Sequence, residues 1–165
     1  MNVKTLEDLF IHSLSDVYSA EKQITKALPK MARAATEPQL IEGFKLHLEE
    51  TQGQIERLDK LVEVTPGVKI KRMKCMAMEG LVEESQEIIE EVEKGPVRDA
   101  GLIGAAQKVE HYEIATYGTL STLAGLLGYS EAKTLLDETL QEEKATDVKL
   151  SKLATGGVNS KAGKR

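Results

Sequence analysis

Apolar residues in this chain recur three and four positions apart over long stretches, the period of an amphipathic helix. A first stripe runs Leu6, Phe10, Leu14, Val17, Ile24, Leu28 and Met31. Thr5 with Asp8 has the pattern of a capping box and opens this helix. Pro29 lies inside it and predicts a kink. Thr36-Glu-Pro-Gln39 reads as a second capping box, with Pro in the first turn, where a missing N–H does no harm. The second helix carries Leu40, Phe44, Leu48, Ile55, Leu58 and Val62, and Thr65-Pro66-Gly67 ends it. A third helix is predicted from about Ile70 to Lys94, with Met73, Ala77, Leu81, Ile88 and Val92 on one face. Gly95-Pro96 breaks it. The fourth helix follows to Leu127, with Gly128 as its cap. Ser130 caps the fifth, which carries Ala132, Leu136, Leu140 and Leu150. Residues 155–165, TGGVNSKAGKR, read as a frayed basic tail, so the helical domain is placed at residues 1–154. No segment alternates at the strand period.

Helices one, two, four and five each span about 25 to 30 residues, roughly 40 Å. The connections within the pairs one–two and four–five are very short, so each pair is an antiparallel hairpin. The third helix is long enough to carry the chain back along the bundle. Two hairpins joined by a long crossover predict an all-α, ferritin-like four-helix bundle with an additional helix in the crossover.

Composition narrows the function classes. The chain has 165 residues and a net charge of −5, so nucleic acid is not an expected partner. Its single cysteine, Cys75, cannot form an internal disulfide and fits a reducing compartment. No apolar run is long enough to span a membrane. The opening MNVKTLEDLF lacks the apolar core of a signal peptide, and the expected location is the cytoplasm.

The informative residues are polar ones that fall on apolar faces. At about 100° per residue, Glu110 and Glu113 join Ala106, Tyr117, Leu120 and Ala124 on helix four. Glu21 falls among Val17, Ile24 and Leu28 on helix one. Glu143 and Asp147 fall among Leu136, Leu140 and Leu150 on helix five. On helix two His47 and Gln54 point inward and Glu50 lies at the stripe edge between them. Height along the bundle is an independent criterion. Glu21 and Glu50 are equidistant from the first turn, Glu113 and Glu143 from Gly128, and Glu110 and Asp147 from 128–129. All lie roughly 22 to 28 Å from their turns, near mid-helix. Up to six acids at one level of an apolar core must be protonated or neutralised by cations. No Lys or Arg is evident on the central stripes there. Oxygen-rich ligands suit two iron ions, or manganese, better than copper or zinc.

The segments DLF…LSDVYSAEKQ, HLEETQGQIERL, QKVEHYEIATYGTL and LQEEKATD resemble the YciE/YciF-type bacterial stress proteins of the ferritin-like superfamily, the YciF branch most closely. The likeness extends to about Leu153. It implies a cytoplasmic homodimer, made under stress such as high osmolarity, with ferroxidase-like di-iron activity on iron(II) and dioxygen or peroxide. The wider di-iron pattern takes one Glu from each of two helices and Glu-x-x-His from each of the other two. By that resemblance the metal ligands are Glu21, Glu50, Glu110, Glu113 and Glu143, with Asp147 added. His47, Gln54 and Tyr117 are supporting residues, and His47 and Gln54 are also alternative ligands. Both expected histidines are missing, because position 53 is Gly and position 146 is Thr. That departure leaves a competing reading, a non-enzymatic helical dimer acting as an interaction module around an empty site.

Overall fold

Thr5 opens α1 (Leu6–Ala34) with both arms of the capping box. Its hydroxyl accepts from Asp8 N at 3.0 Å and the Asp8 carboxylate accepts from Thr5 N at 3.0 Å. The computed structural model describes residues 3–163. α1 runs through Pro29 as one helix and is followed by α2 (Pro38–Val64), α3 (Met76–Glu91), α4 (Pro96–Leu126) and α5 (Ser130–Leu153). Among the described residues no strand forms, and no helix is long and apolar enough to cross a membrane.

The start of α2 departs from the expected capping box. Glu37 is its N-cap, but its side chain makes no capping bond. The cap comes instead from α4. The buried Asp99 carboxylate accepts from Thr36 N at 2.7 Å, Glu37 N at 2.9 Å and the Thr36 hydroxyl at 2.5 Å. A carboxylate satisfies more free N–H groups at a helix start than a hydroxyl can, and its charge suits the positive end of the helix. This contact ties the α1–α2 turn to the first turn of α4. At α5 the N-cap is Tyr129 rather than Ser130.

The third helix is shorter than its apolar spacing predicts, beginning at Met76 instead of near Ile70. Residues 69–75, a strap between α2 and α3, have no helical structure. Two α1 hydroxyls accept from their backbone, Ser15 from Lys71 N at 2.9 Å and Ser19 from Cys75 N at 3.0 Å, and Gln23 donates to Cys75 O at 3.0 Å. α3 then packs against α1 and α4, burying Met78 and Ser85, while Ala77 is exposed.

α1 pairs with α2 and α4 with α5, while α1–α4 and α2–α5 contacts close the four-helix bundle. Its apolar interior comes in two parts. One contains Ile24, Leu28, Leu40, Phe44, Leu102 and Ile103, and the other Phe10, Leu14, Leu58, Leu61, Leu120 and Leu136. Between them lies a layer of buried polar side chains. Beyond α5 the chain does not fray at once. Residues Ala154–Val158 form a π turn and Asn159–Ala162 a short helix, α6. Gly157, at φ 137°, makes the bend that an L side chain would resist, and Val158 buries against the first core cluster. Lys164 and Arg165 of the expected basic tail lie outside the described residues.

Candidate metal centre

The polar layer draws on all four bundle helices. Glu21 comes from α1, His47 and Gln54 from α2, Glu110, Glu113 and Tyr117 from α4, and Glu143 from α5; all are buried. His47, Glu110, Glu113 and Glu143 each offer a ligand atom within 4.8 Å of the other three. The imidazole is wedged between acids, with Nδ1 3.2 Å from Glu110 Oε1 and Nε2 3.9 Å from Glu143 Oε2. Glu21 completes the layer from the far side, and one of its oxygens accepts a short hydrogen bond from the Tyr117 hydroxyl.

Both carboxylate oxygens of Glu110, Glu113 and Glu143, one of Glu21, and His47 Nε2 are buried without a hydrogen-bond partner. Buried polar groups are nearly always paired, so these eight unpartnered atoms could take a ligand. Burial drives the electrostatics. It raises Glu21 to about 8, with the Glu143 charge adding, and Glu143 to about 7. Glu110 and Glu113 stand well above the ordinary carboxylate range, first through burial and then through Glu143. Burial lowers His47 to about 4, so its imidazole is neutral and able to ligate. Without cations these acids hold protons. A cation among them would displace the protons and satisfy the orphaned oxygens together. The donors present, four carboxylates and one neutral imidazole, fit a hard or borderline metal ion.

Two sequence-expected ligands stand apart from this cluster. Glu50 is partly exposed, and its carboxylate accepts from the Thr146 hydroxyl at 3.2 Å and from Lys149 Nζ at 3.4 Å. The reason is phase. The buried residues of α2 include Phe44, His47, Thr51, Gln54 and Leu58, a line that passes beside Glu50. Asp147 is displaced in the same way, because α5 buries Thr139, Glu143, Thr146 and Leu150. Its carboxylate meets His111 at 3.3 Å and the Gln107 amide at 3.2 Å. Gln54 lies within the layer but turns its amide to Glu142 at 3.1 Å, which Arg57 also holds at 2.8 Å. Lys149 of α5 stays at the rim, bonded to Glu50, with its side chain 53% exposed.

A second polar chain escaped the sequence reading. The Tyr112 hydroxyl donates to Asp16 at 2.8 Å and sits 3.1 Å from Cys75 Sγ, linking α4, α1 and the strap. Burial raises the Cys75 thiol above its ordinary pKa, so it stays protonated.

Comparison with known proteins agrees with this architecture. The chain is 65% identical over 162 residues to protein YciF of Escherichia coli (strain K12), covering 98% of both. The crystal structure of the E. coli stress protein YciF superposes with a TM-score of 0.93, covering 95% of this chain and 99% of that one. YcfI of Rhodopseudomonas palustris, 47% identical, gives 0.87 over 91% of this chain and 95% of its own. A protein of Xanthomonas campestris, 24% identical, shares the fold at 0.72 over 94% of each chain. Residues 5–163 match the family described as "Domain of unknown function (DUF892)", and with nearly its whole length matched the chain belongs to that family.

Proposed function

We propose that this chain is a di-metal carboxylate protein of a bacterial stress response, binding iron at mid-bundle and oxidising iron(II) with dioxygen or peroxide. One observation carries the reading: the eight buried, unpartnered ligand atoms contributed by four helices. His47, Glu110, Glu113 and Glu143 would hold one ion, and Glu21 with Glu113 the second. Bound as a pair, two iron(II) ions supply one electron each, enough to reduce dioxygen to peroxide or peroxide to water with two protons. The residues exclude bulk water through the apolar clusters above and below, and Tyr117 fixes the Glu21 carboxylate by its hydrogen bond. Manganese suits the same donors. The description of the E. coli relative as a stress protein supports the physiological setting. A homodimer in the cytoplasm completes the proposal.

A second reading, an interaction module whose acids simply remain protonated, draws support from Gly53 and Thr146 at the two histidine positions. Metal content after aerobic purification from iron-rich cells separates the two, followed by dioxygen consumption on adding iron(II). The wild type exceeds a Glu110→Ala, Glu143→Ala double variant in both under the first reading. Equal, near-zero metal and turnover in the two proteins establishes the second.

A further inference from the structure

The cluster is buried, so a cation needs a way in, and two cavities reach it. The cavity against α3 has a volume of about 10 Å³ and is walled by Ile24, Ala27, Val82 and Val109 before it meets His47 and Glu110. That is room for about one water, and the Ser85 hydroxyl in an otherwise apolar wall is already engaged, donating to Val82 O at 2.7 Å. The other, between α2 and α5, has a volume of about 30 Å³ and includes Gly43, His47, Glu50, Thr146 and Lys149 in its lining. Its inner end is the His47 imidazole, whose Nε2 has no partner. Its outer end is Glu50 and Lys149, whose side chains are 25% and 53% exposed. No atom beyond its own stretch of helix lies within 4 Å of where a side chain at Gly43 would begin, which leaves that wall open.

Resting on the metal-binding reading above, we propose that cations enter between α2 and α5 by way of Glu50, with the Lys149 ammonium occupying the cation's position at the mouth until it is displaced. Size requires such a step. The cavity admits about two waters, so a cation carrying six must shed most of them before it passes. Glu50 supplies the replacing oxygens at that point. Its bond to Lys149 is long, at 3.4 Å, and open to solvent, the kind of ion pair that is weak and exchanges readily. Thr146, from the position where a histidine was expected, holds the other Glu50 oxygen at 3.2 Å and keeps the carboxylate at the mouth. His47 is the next donor inward, followed by Glu110 and Glu143.

The test is the rate of cobalt(II) uptake by the full chain, followed by stopped flow with a metallochromic indicator, alongside equilibrium stoichiometry. Glu50→Gln slows uptake on the order of tenfold, and Lys149→Met speeds it about threefold, because local charge at a narrow mouth sets the ion concentration there. Both variants reach the wild-type stoichiometry. Unchanged rates in both variants, with a normally loaded wild type, overturn the route and leave the metal site standing. Lowered stoichiometry in Glu50→Gln also overturns it, by making Glu50 a ligand. A wild type that takes up no cobalt(II) sinks the metal-binding reading, and the route with it.

Discussion

Raising the pH of the metal-free protein from about 5 to about 7 lowers its stability. Glu21 and Glu143 titrate at about 8 and about 7 in the fold, against an ordinary 4.5. Each therefore binds its proton more tightly folded than unfolded. The stability they contribute is complete below about pH 4.5 and is lost as pH climbs through the folded values. Each group carries a slope of about 1.4 kcal/mol per pH unit inside that window, so the two together lose about 5 kcal/mol over two units. His47 opposes them. Its folded value of about 4 lies below the ordinary 6.5, so its contribution is present above 6.5 and is lost as pH falls. It returns about 2 kcal/mol between pH 5 and 6.5, leaving a net loss of about 3 kcal/mol. Glu110 and Glu113, also raised, enlarge the loss. For a domain of this size the melting temperature drops by about 6 to 12 °C. The assay is thermal unfolding by circular dichroism in chelator, repeated with manganese(II) or cobalt(II). Bound cations take the place of the protons and flatten the pH dependence, and Glu21→Gln removes one group's share of the slope. A melting temperature in chelator that is level or rising across the window would refute the reasoning, because the acids would then be ionised and hydrated.

Three further outcomes follow from contacts away from the cluster. Asp99→Ala strands two N–H groups and a hydroxyl at the α1–α2 turn and destabilises by about 3 kcal/mol in denaturant unfolding, with metal stoichiometry unchanged once folded. Cys75 reacts with iodoacetamide in the native protein at least about a hundredfold more slowly than in the unfolded chain, because burial shields the sulfur and disfavours the thiolate. Gly157→Ala strains the positive-φ bend and loosens residues 154–162, read as faster amide exchange there than in α5.

The helices were legible because their apolar period persists for many turns. α4 spans residues 96–126, one residue short of its expected end. The four inward glutamates were legible for the same reason, since Glu21, Glu110, Glu113 and Glu143 occupy stripe positions that a carboxylate holds only when protonated or compensated. Glu50 and Asp147 show where such reading stops. A helical wheel resolves a face to about one residue, and each lies one residue from a buried threonine, Thr51 and Thr146. Level along the bundle does not break that tie, so height and face together still admitted both. The strap was hidden for a different reason. Its residues could form a helix, and it is side chains more than fifty positions away, Ser15, Ser19 and Gln23, that give their backbone another partner. Asp99 was likewise invisible, because nothing near it in sequence marks it as the cap of a helix that starts sixty residues earlier.

The division of the apolar interior into two clusters bears on how this protein tolerates change. Side chains above and below the acid layer do not share packing, so a repacked end need not disturb the other. What both ends have in common is the spacing of four backbones at mid-height. Substitutions that widen or narrow the bundle there alter ligand geometry without touching a ligand, whereas conservative exchanges near either tip leave it alone. Variation among relatives should therefore be freest at the tips and most constrained around the waist.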